Sequence, residues 1–333
     1  MRLSIIVLNY NYARFLRTAI DSALSVIWPE AEVIVVDDGS TDKACQKIIS
    51  SYGGRVVPVF KENGGQNSAA NAGFRHSTGD VIVFLDADDA IHDPDIGERL
   101  IAGFKPRVAK WQWPMIQVDE KMERLGPVWP QYTDRDTPAR VVYEIRNTGS
   151  YLTPPTSGNA WSRWFLEEVF PLPVRPKGET GRWGLFFDDY LHMIAPRRGD
   201  VVSLSDPMTY YRLHAKMNSH FGGHRPPQMI ADVCDEETSR MKAVNAFLAS
   251  KNIPFRYDFE KYDGHLRGRL VYVRAFPERY PYGDSRFSLV GKYTISIMRT
   301  ERNAIMKLAH AGWAAVTAFA PKKIGIRVGL MTQ

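Results

Sequence analysis

The segment DVIVFLDADD, residues 80–89, is an apolar run that ends in a string of acidic residues. Its apolar run is continuous rather than alternating, which indicates a strand covered on both faces. Similar runs precede it, and the predicted strands are LSIIVL from Leu3, EVIVVD from Glu32, RVVPVF from Arg55 and the run from Asp80. The predicted helices between them are Ala13–Val26, Thr41–Ser51 and Asn67–His76. This β-α-β-α-β-α-β order predicts an α/β fold with a mostly parallel sheet flanked by helices.

Beyond Asp89 the alternation of strands and helices ends. We expect a helix over His92–Phe104, a hairpin joining Val108–Val118 to Pro127–Trp129, a loop over Thr153–Asn159 and a short helix over Asp188–Ala195. The later predicted elements are strands Val201–Leu204 and Met208–His214, a boundary at Pro226 and Pro227, and a helix over Met229–Ser250. Residues 226–333 therefore read as a helical C-terminal extension.

Composition excludes several classes of protein. The 333 residues are 44% hydrophobic and 24% charged, which excludes a disordered, collagen-like or coiled-coil chain. The two cysteines, Cys45 and Cys234, exclude a disulfide framework and fit a reducing compartment. No stretch approaches the roughly 20 apolar residues of a membrane span, and no export signal opens the chain. We therefore expect a cytoplasmic protein, either free or peripheral at the inner face of the membrane.

The net charge of +6 is unevenly placed. Lys261–Gln333 holds 13 basic and 4 acidic residues, or +9, which leaves the first 260 residues at −3. An acidic body disfavours nucleic acid as a partner. Ile295–Phe319 is apolar with Arg299, Arg302 and Lys307 interleaved, and Lys322 and Lys323 follow. Two interpretations stay open, an amphipathic helix on anionic lipid or a helix packed on the body or on a second subunit.

Polar residues follow each predicted strand, at the edge of the sheet where such folds bind ligands. Asn9 follows the first strand, Asp38 the second, and Asn63-Gly64-Gly65-Gln66 the third. A carboxylate at Asp38 can accept hydrogen bonds from a ribose or a base. Asp86 and Asp88 follow the fourth strand and, as alternate residues, can share one face. Carboxylate oxygens suit Mg²⁺ or Mn²⁺, and these ions commonly bind phosphate as well.

These motifs together resemble the family 2 glycosyltransferases, inverting enzymes with the nucleotide-sugar-binding GT-A fold. The matching pieces are SIIVLNYN, VIVVDDGSTD, NGGQNSAANAG, STGDVIVFLDADD, TSGNA, FFDDYLH and YYRLHAKMNS, between about Leu3 and Ser219. The resemblance implies transfer of a sugar from a nucleotide-diphosphate sugar, most simply a UDP-sugar, to a saccharide or lipid-linked saccharide in surface polysaccharide synthesis. It also implies a GT-A domain over 1–225, with nucleotide-sugar binding in 1–90 and the acceptor side in 91–225.

The resemblance further assigns roles to individual residues on the donor side. The positions that match Asn9 and Asp38 lie around the nucleoside, Asp86 approaches the ribose, and Asp88 holds the divalent metal on the diphosphate. Many members carry Arg in the helix after the Gly-Gly turn, where this chain has Ala70. That departure leaves Gln66 or Asn67 as the polar contact.

Inverting transfer needs a carboxylate that removes the proton of the attacking hydroxyl. Asp188 and Asp189 match the acidic pair of the family, in which the position of Asp189 supplies the base and Asp188 orients it or the acceptor. A simpler role is that both acids stabilise a helix N-terminus.

YYRLHAKMNS is similar to a family segment that closes over the diphosphate. Arg212 can bind phosphate oxygens, and His214 can contact phosphate or complete the metal shell. Trp161, Trp164 and Trp183 flank the acceptor side, where aromatic rings stack on sugars, although core packing explains Trp164 equally well.

Three other functions compete with glycosyl transfer. Nucleotidyl transfer predicts a glycine-rich basic loop after the first strand, and LNYNYARF lacks the glycines. A catalytically silent nucleotide-sugar-binding or membrane-associated scaffold protein predicts binding without turnover, against which the acidic pair counts. A dinucleotide-dependent oxidoreductase is disfavoured because no G-x-G-x-x-G follows the first strand.

Overall fold

A computed structural model describes residues 1–174, 186–214 and 226–331. These residues form two compact units, one of residues 1–142, 152–174 and 186–214, the other of residues 143–151 and 226–331. The functional division into 1–90, 91–225 and 226–333 stays a prediction.

A seven-stranded sheet forms the centre of the first unit, in the order β3-β2-β1-β4-β8-β6-β9. Its strands are β1 Leu3–Asn9, β2 Ala31–Asp37, β3 Val57–Phe60, β4 Val81–Asp86, β6 Val108–Gln112, β8 Asn159–Ser162 and β9 Asp200–Ser203. The first four strands are parallel, as predicted. β8 runs antiparallel between β4 and β6, and β9 pairs in parallel with β6. The mostly parallel α/β sheet predicted from the sequence is confirmed.

The helices of the first unit cover this sheet because their apolar residues recur at helical spacing. They are α1 Ala13–Leu24, α2 Lys43–Ser50, α3 Gln66–His76, α4 Ile96–Ala102, α6 Arg163–Val169 and α7 Phe187–Arg198, and α5 Pro138–Thr148 runs from this unit into the second. In α1, Phe15, Leu16 and Ile20 are buried against the sheet. In α3, a Cβ on Gly73 would lie 2.3 Å from Cγ2 of Ile6. The backbone of α3 therefore packs directly on β1.

A small sheet of three strands brings distant residues to the edge of the large one. Its strands are β5 Ala90–Ile91, β7 Met115–Val118 and β10 Thr209–Arg212, in the order β5-β10-β7. β10 pairs antiparallel with β5, which directly follows the acidic residues after β4. This pairing places Arg212 beside Asp89, since the backbone N–H of Arg212 donates to Asp89 Oδ1 at 2.9 Å.

Three predictions of local structure are corrected. The helix predicted over His92–Phe104 is the shorter α4, because the backbone N–H groups of His92 and Asp93 donate to the carbonyl oxygen of Met208. The predicted hairpin retains antiparallel bridges between Met115 and Trp129 and between Val118 and Arg124, but its first half is split between two sheets. The single helix predicted over Ile295–Phe319 is two helices. Asn303 begins the second of them, because its side chain accepts from the backbone N–H of Met306.

The second unit is helical. Its further helices are α8 Pro227–Ser250, α9 Asp263–Ala275, α10 Arg286–Met298, α11 Ala304–Phe319 and α12 Lys322–Leu330. Leu266 and Leu270 of α9 pack with Leu289 and Tyr293 of α10 in one apolar cluster. Within the described ranges, the helices lack the combination of length and apolar character that crossing a membrane requires.

Candidate active site

The carboxyl ends of β1 and β2 are joined by Asn9. Its side chain is 2% exposed, and its Nδ2 donates to Asp37 Oδ1 at 2.8 Å and to Ser40 Oγ at 3.2 Å. Parallel pairing of Asn9 with Asp37 brings these groups together. Asn9 therefore fixes the start of the loop that follows β2, at the place where the sequence predicts the nucleoside.

Asp38 organises the turn before α3. Its carboxylate accepts from the backbone N–H groups of Gly64, at 3.1 Å, and Gly65, at 2.8 Å, and from Asn63 Nδ2 at 3.2 Å. Lys61 Nζ also donates to it in an ion pair. Gly65 is held at φ +82°, a conformation that favours glycine. Sequence reasoning missed Lys61, because the spacing from Asp38 to Lys61 carries no motif.

The two polar candidates at the start of α3 separate in the structure. Asn67 is buried, and its Nδ2 donates to the carbonyl oxygen of Pro173 at 2.8 Å, so it ties α3 to the chain after α6. The side chain of Gln66 instead interacts with the carboxyl of Asp86, where it opposes the rise in pKa that burial causes. Of the pair, Gln66 is the one that reaches the acidic residues.

Three carboxylates gather after β4. One oxygen each of Asp86, Asp88 and Asp89 lies within 4.8 Å of the others. Burial raises the pKa of Asp86 well above its ordinary value, and the charges of Asp88 and Asp188 raise it further. Burial and then the charges of Asp88 and Asp86 raise the pKa of Asp89 in the same direction. Sequence reasoning gave Asp89 no role, although it stands in the same DADD string.

The TSGN turn braces this acidic cluster from the β8 side. The backbone N–H of Asp86 donates to Ser157 Oγ at 3.0 Å, and the Ser157 side chain opposes the rise in the pKa of Asp89 that burial causes. Thr156 Oγ1 donates to Asp188 Oδ2 at 2.9 Å, and its side chain opposes the rise in the pKa of Asp86 that burial causes. Two hydroxyl groups thus connect the end of β4 with the start of α7. The TSGNA motif was recognised in the sequence, but without roles for these two residues.

Asp188 and Asp189 occupy the first turn of α7. Asp188 Oδ1 accepts from the backbone N–H of Asp189 at 2.9 Å, while its other oxygen accepts from Thr156. Asp188 is thereby fixed against the turn that holds the acidic cluster. Both acids lie in the helix N-terminal turn, as the simpler role requires, and Asp188 is also linked electrostatically to Asp86.

A buried lysine lies near this helix. Lys110 on β6 is 0% exposed, and its Nζ donates to Gln112 Oε1 at 2.7 Å and to Thr153 Oγ1 at 2.8 Å. Burial lowers the pKa of Lys110 well below its ordinary value, and the charge of Asp188 opposes that shift. Lys110 thus places a buried amine within electrostatic reach of Asp188. The sequence gave no sign of it, since a lysine in VAKWQ reads as a surface residue.

Arg212 and His214 also contact the cluster, through Asp89 and Asp88 respectively. The Arg212 guanidinium sits 4.2 Å from the ring centre of Phe15, and burial lowers its pKa, an effect that the charges of Asp89 and Asp88 oppose. His214 Nε2 lies 3.0 Å from Asp88 Oδ2. The structure therefore brings both predicted residues to the acidic cluster, with His214 in direct contact with Asp88.

The tryptophans behave differently from the expectation for sugar stacking. Trp161 is 1% exposed, and its ring stacks on His192 and Phe165, so its faces are covered by the core. The proposed stacking role of Trp161 is wrong for this reason. Trp164 meets Phe165 edge to face, in line with core packing. Trp183 lies outside the described residues.

The acidic cluster fits a divalent cation. Hard carboxylate oxygens are the preferred ligands of Mg²⁺ and Mn²⁺, and three of them converge here. The raised pKa values of Asp86 and Asp89 arise partly from repulsion by neighbouring carboxylates, which a bound cation would offset.

A mostly parallel α/β sheet with an acidic cluster beyond its strand ends is consistent with the GT-A fold of nucleotide-sugar-dependent transferases. The sequence profile of Glycosyl transferase family 2 matches residues 4–109. An uncharacterized glycosyltransferase of Nostoc sp. is 29% identical over 305 residues, covering 87% of this chain and 88% of that protein. A chondroitin synthase of Pasteurella multocida is 31% identical over 150 residues, which cover 43% of this chain and 15% of that protein.

Among solved structures, S. aureus TarS 1-349 in complex with UDP-GlcNAc superposes with a TM-score of 0.54 at 17% identity. The superposition covers 96% of this chain and 90% of that one. Residues 4–109 therefore form a family 2 glycosyltransferase domain, and the chain has the GT-A fold, which confirms the family resemblance and the fold class expected from the sequence.

Proposed function

We propose that the protein is an inverting, metal-dependent glycosyltransferase that moves a sugar from a UDP-sugar to a hydroxyl of a saccharide or lipid-linked saccharide. The observation that carries this proposal is the connection of two acidic groups through one turn. Asp86, Asp88 and Asp89 gather at the end of β4. In the TSGN turn, Ser157 Oγ accepts from the backbone N–H of Asp86, and Thr156 Oγ1 donates to Asp188 at the start of α7. The alternative is a catalytically silent nucleotide-sugar-binding or membrane-associated scaffold protein.

The donor side of the proposal uses the loops after the parallel strands. Asn9 and the turn held by Asp38 border the nucleoside, and Gln66 and Asp86 border the ribose. Asp88 would hold Mn²⁺ or Mg²⁺, with Asp86 and Asp89 alongside and His214 in contact with Asp88. When bound, the cation supplies positive charge that stabilises the departing diphosphate. Arg212 adds a cationic group within electrostatic reach of Asp89 and Asp88.

The acceptor side of the proposal uses the acidic pair of α7. Asp189 takes the proton of the acceptor hydroxyl as the hydroxyl attacks the anomeric carbon and the bond to the diphosphate breaks. Asp188 is a positioning residue, because both of its oxygens already accept hydrogen bonds, from Thr156 and from the backbone N–H of Asp189. A base held opposite the leaving group gives inversion at the anomeric carbon.

Two relatives support the substrate classes. TarS, whose structure contains UDP-GlcNAc, has the same fold, which favours a UDP-sugar as donor. The chondroitin synthase, similar over part of its length, favours a saccharide acceptor and a place in polysaccharide synthesis.

The test compares Asp189→Asn with Asp206→Asn in donor turnover. Both substitutions remove one charge, but the side chain of Asp206 is 61% exposed and pairs with Arg99 away from the acidic cluster. Loss of a general base costs about 10²–10⁴-fold in rate, so Asp189→Asn should lose kcat by that factor while UDP affinity holds. Asp206→Asn should match the wild type.

A second experiment uses a chelator to test whether transfer depends on a divalent metal. Activity should disappear with EDTA and return with Mn²⁺, and chelator-insensitive transfer would contradict the metal part of the proposal. Full activity of Asp189→Asn would contradict its role as base. UDP-sugar binding with no turnover under any condition would favour the scaffold protein.

A further inference from the structure

Helix α11 presents one apolar face to solvent. Its outward positions repeat at three and four residues, the spacing of a single helix face. These positions define the α11 face: Ile305, Leu308, Ala309, Gly312, Val316 and Phe319. Ile305 is 79% exposed and Leu308 73%. The opposite side of the same helix is buried at Ala314, Thr317 and Ala318. The helix has 16 residues, so the face is about 24 Å long.

The α11 face continues onto the neighbouring helix. Phe287 of α10 is 77% exposed, and its ring centre lies 4.5 Å from that of Phe319. Two solvent-exposed aromatic rings are thus in contact at one end of α11. A run of exposed apolar residues of this length is unusual on a soluble surface and indicates a partner.

The surroundings of the face are strongly basic. Residues 286–331 hold eight Lys and Arg and one acidic residue, Glu301. Arg299, Lys322, Lys323 and Arg327 are exposed, whereas Arg302 pairs with Asp263 at 3.0 Å. A second copy of the chain docked on this face would bring two such basic segments together, and like charges repel. An anionic lipid surface accepts both the apolar residues and the surrounding cations.

We propose that the α11 face, together with Phe287, docks on the surface of an anionic lipid bilayer. The apolar side chains enter the boundary between headgroups and acyl chains, and the flanking Lys and Arg contact lipid phosphates. The sequence expectation of one amphipathic helix over Ile295–Phe319 is replaced by a specific helix and a specific set of residues. The inference goes beyond sugar transfer, since docking requires neither donor nor acceptor.

The test is cosedimentation of the full chain with vesicles of phosphatidylcholine and phosphatidylglycerol, and with vesicles of phosphatidylcholine alone. Wild type should bind the anionic vesicles and lose affinity as salt rises. The double variant Leu308→Ser with Phe319→Ser should bind about 100-fold more weakly, because it removes two large apolar groups from the lipid boundary. Lys322→Ala with Lys323→Ala should weaken binding to anionic vesicles specifically.

The matched control is Ile27→Ser, since Ile27 is 66% exposed but lies in the first unit. It should bind vesicles as the wild type does. Unchanged vesicle binding by the Leu308→Ser, Phe319→Ser variant would overturn the proposal, and so would equal binding to the two vesicle types at low salt. Sedimentation velocity without lipid provides the last arm. A dimer that the double serine variant abolishes, with no vesicle binding by the wild type, would assign the face to a second copy instead.

Coincident thermal melts check that the variants fold, as expected for exposed positions. Transfer to a water-soluble acceptor should be the same in wild type and double variant. Loss of vesicle binding with retained transfer separates this inference from the catalytic proposal.

Discussion

Replacing Asp38 by Asn tests how the loop before α3 is held. The substitution keeps the size and shape of the side chain but removes its charge and exchanges one acceptor oxygen for an NH₂ donor. Asp38 is surrounded by donors, namely Lys61 Nζ, Asn63 Nδ2 and the backbone N–H groups of Gly64 and Gly65. An amide cannot accept from all of them, so at least one buried donor loses its partner in Asp38→Asn.

The expected loss follows from the bonds that change. A hydrogen bond to a charged group contributes about 1.5–3 kcal/mol, and a neutral bond about 1 kcal/mol. Asp38→Asn loses one bond to a backbone N–H outright and weakens the pair with Lys61. The side chain of Asp38 is 4% exposed, so water replaces little of this. We expect the free energy of unfolding to fall by about 2–4 kcal/mol.

Urea unfolding of both proteins measures this difference, with UDP affinity measured by calorimetry on the same samples. The control is Asp42→Asn. Asp42 accepts from the backbone N–H of Ala44 at 2.9 Å as the N-cap of α2, where Asn and Asp are equivalent, so its unfolding free energy should change by less than about 0.5 kcal/mol. UDP affinity should fall in Asp38→Asn alone, because the turn that begins α3 moves. If Asp38→Asn were as stable as Asp42→Asn, the carboxylate would not be what holds the turn.

Three further outcomes are expected. Gly73→Ala should lower the free energy of unfolding by about 1–3 kcal/mol in urea, since its Cβ would lie 2.3 Å from Ile6 Cγ2, and unchanged stability would refute the tight contact of α3 with β1. Cys45 and Cys234 are both buried, and burial raises the pKa of Cys234. An aromatic disulfide reagent should therefore label neither thiol until denaturant is added, and fast labelling of the folded protein would contradict the burial of the thiols. Mn²⁺ should raise the melting temperature of the wild type but not of Asp88→Asn, and an equal rise in both would remove Asp88 from the metal site.

The first half of the fold was predictable because its signals are local. Each parallel strand is a short apolar run, and the buried residues of α1 recur at helical spacing within a dozen residues. The strand ends follow directly, because parallel strands place their carboxyl ends at one edge. Asn9, Asp38 and Asp86 therefore lie where the sequence places them.

The rest depends on contacts between residues distant in the chain. β10 pairs with β5 and β7 across separations of about a hundred residues, and neither partner is marked by a pattern in the sequence. The pair of Lys61 with Asp38 is of the same kind. Lys110 interrupts an apolar strand, and its burial becomes understandable only when Gln112 and Thr153 are seen to accept from its Nζ. Patterns predict which face is covered, but not which polar groups find each other inside.

The charge arrangement at the end of β4 argues for a site rather than a structural feature. A fold that needed only stability would place a cationic side chain against each of these carboxylates, as His214 contacts Asp88. Here the backbone N–H of Arg212 donates to Asp89, while the guanidinium of Arg212 packs on the ring of Phe15. Lys61 is directed to Asp38 instead. Burial raises the pKa values of Asp86 and Asp89, and repulsion from the neighbouring carboxylates raises them further. Carboxylates that repel one another, held in place by the hydroxyl groups of Thr156 and Ser157, form a site suited to a cationic ligand. The diphosphate of a donor is an anion that such a bound cation would attract.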